Sequence, residues 1–218
     1  MANLDPLRVK RLAKEGSWII LGQVVTVVGT LALVRVLTEY LAPADYGRLA
    51  LGLTVAGLLN QTIFGGIGNG IGRYYAVAAE ASDLNRYLRD ARKLMFYGTV
   101  AALGVGGALL ISLHQLRASQ WLALACVALL FAVVSAYNGA IASIQNAARQ
   151  RAIVAIHGGV NAWLKIISAV LIMGWLGASS EAVVIGYILA TLLVTVSQLL
   201  FLRRTIPPDA PASVENHD

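Results

Sequence analysis

The sequence predicts an all-α integral membrane protein, a six-helix transmembrane bundle, and three observations carry that prediction. Of 218 residues, 58% are apolar and only 13% are charged, too few charges to cover a soluble domain of this size. The apolar residues gather into six runs, each long enough for the roughly 20 residues that a helix needs to cross a hydrocarbon core about 30 Å thick. Within those runs apolar residues are continuous, without the alternation that a membrane β-barrel requires.

The first run, 18–37, follows Arg8, Lys10, Arg11 and Lys14. That cluster resembles a signal leader, but the apolar stretch outlasts a signal core and five more spans follow, so the helix is retained. Residues 1–17 read as a basic interfacial segment, whose stretch from Asp5-Pro6 fits a short amphipathic helix or a solvated loop equally well. The second run, 49–67, passes into Gly65-Gly66-Ile67-Gly68-Asn69-Gly70-Ile71-Gly72-Arg73. Small residues four apart there, Gly66/Gly70 and Gly68/Gly72, predict close helix contact or a bend. The segment follows a membrane span rather than a strand, which rules out a dinucleotide-binding loop.

The third run, 94–113, is preceded by Leu84, Tyr87, Leu88 and Ala91 at helical spacing, with Arg86, Arg89, Arg92 and Lys93 between them. This predicts a basic amphipathic helix that lies on the inner leaflet and then turns into the span. The fourth run, 121–144, holds the lone Cys126, which reads as a small apolar residue rather than part of a disulfide or metal framework. The fifth and sixth runs are 152–176 and 182–202. Residues 18–202 thus form one transmembrane lobe, and 203–218, with three Pro and little apolar content, a disordered tail.

The basic residues set the orientation. Thirteen Lys and Arg fall at one end of the spans: four before the first, then Arg73, Arg86, Arg89, Arg92 and Lys93, then Arg149 and Arg151, then Arg203 and Arg204. Only Arg48 and Arg117 fall at the other, while Arg35 and Lys165 lie within or at the edge of spans. Both termini are therefore expected in the cytoplasm. The net charge of +6 resides at helix ends, where it meets anionic membrane lipids rather than nucleic acid.

Polar side chains at membrane depth are costly and usually face a bundle interior or an aqueous cavity. In the fifth run His157, Asn161, Lys165 and Ser168 share a helical stripe. Tyr187, Thr191, Thr195 and Gln198 share another in the sixth, and Ser135, Asn138 and Gln145 are roughly aligned in the fourth. Gln23, Thr26 and Thr30 in the first run and Asn60 and Gln61 in the second complete the set. Hydrogen bonding between helices accounts for Gln23, Thr26, Thr191 and Thr195, and His157 reads as structural. Lys165 is different: no acidic residue lies within any run to neutralise it. A cationic cavity for an anionic substrate explains it most simply, with snorkelling to the outer headgroups as the alternative. No nucleophile motif, metal-ligand spacing, acidic pair at depth or Walker loop is present, so neither an enzyme nor a cofactor is expected.

Three stretches resemble a known family. Leu33-Val34-Arg35-Val36-Leu37-Thr38-Glu39-Tyr40-Leu41-Ala42-Pro43-Ala44-Asp45-Tyr46-Gly47 is similar to the first loop of bacterial polysaccharide-biosynthesis flippases, the O-antigen and exopolysaccharide exporters. The Gly-rich segment closing on Arg73-Tyr74-Tyr75-Ala76 resembles the end of their second helix, and Gln145-Asn146-Ala147-Ala148-Arg149-Gln150-Arg151-Ala152 their fourth connection. The resemblance implies a secondary transporter of the multidrug, oligosaccharidyl-lipid and polysaccharide exporter superfamily in the bacterial inner membrane. It would export an undecaprenyl-diphosphate-linked oligosaccharide by alternating access between two six-helix lobes. Arg35, Arg73 and Lys165 then become candidates to contact the diphosphate or sugars, and Asn138, Asn161 and Tyr187 to line the cavity. This chain covers one lobe, so it is expected to be truncated or half-size, completed by a second copy or a partner chain. A non-transporting subunit of a glycan-assembly complex, a decayed remnant, or another exporter of the superfamily are the alternatives.

Overall fold

A computed structural model describes the backbone of residues 6–205 and the side chains of 16–204. The tail beyond Thr205 and the side chains of the leading basic segment, for which disorder and an interfacial position were expected, lie outside the described residues. Within them the chain is helical apart from short connections, with six helical segments long and apolar enough to cross a membrane and no strand.

Helix α1 (Pro6–Tyr40) carries the leading segment from Pro6 onward and the first span as one rod. Its 35 residues reach about 52 Å, well beyond the hydrocarbon core. It stops where Pro43 disfavours helical backbone for Ala42 and then opens α2 (Pro43–Leu59) at its first position. A five-residue π-turn (Asn60–Phe64) joins α2 to α3 (Gly65–Glu80). The second span is thus longer than the apolar run at both ends, and its irregularity falls before the glycines rather than on them.

Helix α4 (Leu84–Gln115) departs from expectation: the basic amphipathic stretch and the third span are one unbroken helix, with no turn between them. No Gly or Pro occurs from Leu84 until Gly98, so nothing in that stretch breaks the helix. The amphipathic part packs on α3 instead of lying apart, with the Tyr75 and Tyr87 rings edge-to-face at 5.9 Å. The Tyr87 hydroxyl donates to the Ile71 carbonyl at 2.6 Å.

A short 3-10 turn (Ser119–Trp121) leads into α5 (Leu122–Ala147), followed by α6 (Arg151–Leu176) and α7 (Ser180–Thr205). Three helix ends are closed by the same device. Ser82, Arg117 and Arg149 take left-handed backbone conformations. The next residue's N–H then reaches back to an end carbonyl, as in Gln150 to Gln145 at 2.8 Å. Ser179 caps α7, its Oγ accepting from the Ala182 N–H at 3.2 Å.

Helix α5 is the centre of the bundle, touching α2, α3, α4, α6 and α7. Its buried residues Leu124, Ala128, Ala132, Ala136 and Ala140 recur every fourth position, a seam of mostly small side chains that lets helices approach closely. Helix α1 lies at the edge: it packs along α6 and only brushes α2, its neighbour in sequence. That separation opens the bundle sideways.

Candidate functional site

The gap between α1 and α2 is the mouth of a cleft of about 530 Å³ whose back wall is α5, α6 and α7. Lys165, near the middle of α6, lies about 16 Å of helix rise from Leu176. Its Nζ does not snorkel outward but stands over the rings of Phe131 (5.2 Å) and Tyr187 (5.5 Å). Cation–π contact with two aromatic faces accommodates an ammonium in an apolar setting. The rings brace one another, with centroids 5.9 Å apart, and Tyr187 is only 4% exposed. No acidic side chain lines the cleft.

Asn161, one turn before Lys165, also lines the cleft, and its buried Oδ1 has no hydrogen-bond partner among the described residues. Thr26, Thr30, Tyr46, Asn60 and Ser135 add hydroxyl and amide groups to walls that are otherwise Leu, Val, Ala and Gly. Asn60 is fixed in place: its Nδ2 donates to the Ala132 carbonyl (2.9 Å) and the Ser135 hydroxyl (3.0 Å). These bonds tie the π-turn to α5 at the edge of the cleft, and such turns recur at functional sites.

Of the six site residues proposed from sequence, the structure brings Asn161, Lys165 and Tyr187 together in this cleft. Asn138 lies elsewhere, donating from Nδ2 to Thr195 Oγ1 (3.1 Å) and to Gln198 Oε1 (2.8 Å), so it joins α5 to α7. Arg35 and Arg73 are exposed on α1 and α3 and do not line the cleft. The stripe on α6 divides, because a step of four residues advances about 40° past a full turn. His157 therefore turns toward α7: its Nδ1–H donates to the Ile153 carbonyl (2.8 Å), and in the neutral ring Nε2 accepts from Ser197 Oγ (3.1 Å). The threonines serve their own helices more than their neighbours. Thr26 and Thr30 donate to carbonyls four residues back, as does Thr195, which also accepts from Asn138.

Sequence reasoning did not place Phe131 at the site; a lone Phe in an apolar run carries no signal beyond hydrophobicity. No set of His, Cys, Asp or Glu able to hold a metal occurs among the described residues. The cleft thus offers one cationic centre, an amide oxygen without a partner among the described residues and aromatic faces, open between α1 and α2. No protein-family model, curated sequence or solved structure matches this chain.

Proposed function

We propose that this chain is one lobe of a secondary transporter that exports an undecaprenyl-diphosphate-linked oligosaccharide across the bacterial cytoplasmic membrane, with both termini cytoplasmic. The observation that carries the proposal is Lys165, a cation at membrane depth facing a laterally open cleft with no acidic residue on its walls. A group so costly to hold in the membrane points to a substrate that brings the opposite charge. A lipid-linked diphosphate fits: its headgroup is anionic, its tail stays in lipid, and it needs entry from the side. Tyr187 and Phe131 stand against the ammonium, and Asn161 and Tyr46, which line the same cleft, would meet the sugar hydroxyls. A second six-helix lobe, from another copy or a partner, would face the mouth of the cleft and complete the cavity, with lipid access left at the margin between the two lobes, as repeat interfaces form sites in other transporters. Arg35 and Arg73 are exposed outside the cleft and take no part in the proposed site. The proposal involves no cofactor and no enzymatic step.

The resemblance in residues 33–47 and 145–152 supports the same substrate class. Binding tests it. Purified protein titrated with a short-chain polyprenyl-diphosphate oligosaccharide should bind, and Lys165→Gln should weaken binding roughly ten- to a hundredfold, the worth of one charge-assisted contact. Lys165→Arg should keep most of it. Equal binding by wild type and Lys165→Gln would refute the assignment.

A further inference from the structure

A second cavity, of about 600 Å³, opens at the basic end of the bundle and is separate from the cleft. It exists because α4 and α7 both pack on α5 but make little contact with each other. Its floor is apolar, formed by Met95, Ala140, Ile141, Ile144 and Leu199, and its rim carries Arg92 from α4 and Arg203 from α7. Neither arginine has an acidic partner among the described residues, whereas Arg86 and Lys93 each pair with an aspartate three residues earlier. Two forked cations over an apolar slot, at the level where helices leave the membrane, match a phosphate with acyl chains beneath it.

We propose that this cavity binds one anionic phospholipid of the surrounding bilayer, with its phosphate between Arg92 and Arg203 and an acyl chain along α5. The lipid fills the gap between α4 and α7, so it links the third and sixth spans, which the protein itself leaves apart. The site does not depend on what the cleft transports.

Native mass spectrometry of the full-length protein, stripped of lipid and then given phosphatidylglycerol or phosphatidylcholine of equal chain length, tests this. Wild type should retain one phosphatidylglycerol in preference to phosphatidylcholine. Arg92→Gln/Arg203→Gln should lower that preference roughly thirtyfold, about 1 kcal/mol for each basic group. Arg86→Gln/Arg89→Gln, which removes the same charge outside the cavity, should leave it unchanged. Leu199→Trp should fill the slot from its floor and expel the lipid with all charges in place. Equal retention of the two lipids, equal loss in both double variants, or full retention in Leu199→Trp would each overturn the site. Displacement by millimolar inorganic phosphate would likewise show that a free anion, not a lipid, is held.

Discussion

The contact between α6 and α7 gives the sharpest packing prediction. A Cβ added at Gly186 would stand 2.7 Å from the Cα and N of Ala169 and 2.9 Å from the carbonyl carbon of Ser168. All three are backbone atoms, so no side chain can turn away and the helices themselves must separate. Overpacking of this kind costs about 1–3 kcal/mol, and the better helix propensity of Ala returns about 0.5–1 kcal/mol. Gly186→Ala should therefore destabilise the bundle by about 1 kcal/mol, and by up to about 2.5 kcal/mol if the helices yield little. Gly70 is the control: nothing lies within 4 Å of its would-be Cβ, so Gly70→Ala should be neutral or stabilising by up to about 1 kcal/mol. Equilibrium unfolding in mixed micelles, followed by far-UV circular dichroism as SDS is added, reads both. Opposite signs are expected. A Gly186→Ala protein as stable as Gly70→Ala would show that α6 and α7 do not meet this closely.

The two cavity-candidate asparagines should behave oppositely. Asn138→Leu removes both bonds to α7 and strands the Gln198 side chain, which is 2% exposed, so it should cost about 1–2 kcal/mol in the same unfolding assay. Its effect on substrate binding should be no larger than its loss of folded protein explains. Asn161→Leu replaces an amide whose buried Oδ1 has no partner among the described residues, so stability should hold or rise while substrate binding falls several-fold in the titration described above.

The six spans were legible in the sequence because an apolar run of membrane length has few other uses. Their ends were not. The expected boundaries followed hydropathy, but α1, α3 and α4 continue as helices through charged residues, since charge alone does not stop a helix. The turns at Ser82, Arg117 and Arg149 were also hidden, because residues other than Gly hold the left-handed positions. Glycine misled in the other direction. The conspicuous run gives Gly66, Gly68 and Gly70 open space, and only Gly72, beside Ser143, makes a close approach. Contacts as tight or tighter belong to scattered glycines, Gly22 against Ala155, Gly106 against Leu129 and Gly186 against Ala169, which depend on which helices become neighbours. The spacing by four from Ala128 to Ala140 in α5 is a packing signal that the sequence analysis passed over, and it marks the central helix.

Half of the candidate site was readable for a comparable reason. Lys165 and Asn161 declare themselves because polar groups at membrane depth need an explanation, and Tyr187 shares a polar stripe. Asn138 looked equivalent, but whether an amide faces a cleft or a helix is decided by the partner across from it, here Thr195 and Gln198. Phe131 was invisible because its role depends on lying opposite Lys165.

Transport in the living cell tests the central claim most directly. Lys165→Gln and Lys165→Arg would be introduced at the chromosomal locus, with protein abundance in the membrane checked to be equal, and the lipid-linked oligosaccharide on each side of the membrane quantified. Lys165→Gln should trap the oligosaccharide on the cytoplasmic side and deplete surface polysaccharide roughly tenfold or more, while Lys165→Arg should export near the wild-type rate. Unchanged export with Lys165→Gln would contradict the central claim, and the lysine would then be a packing element of a membrane subunit that carries no substrate.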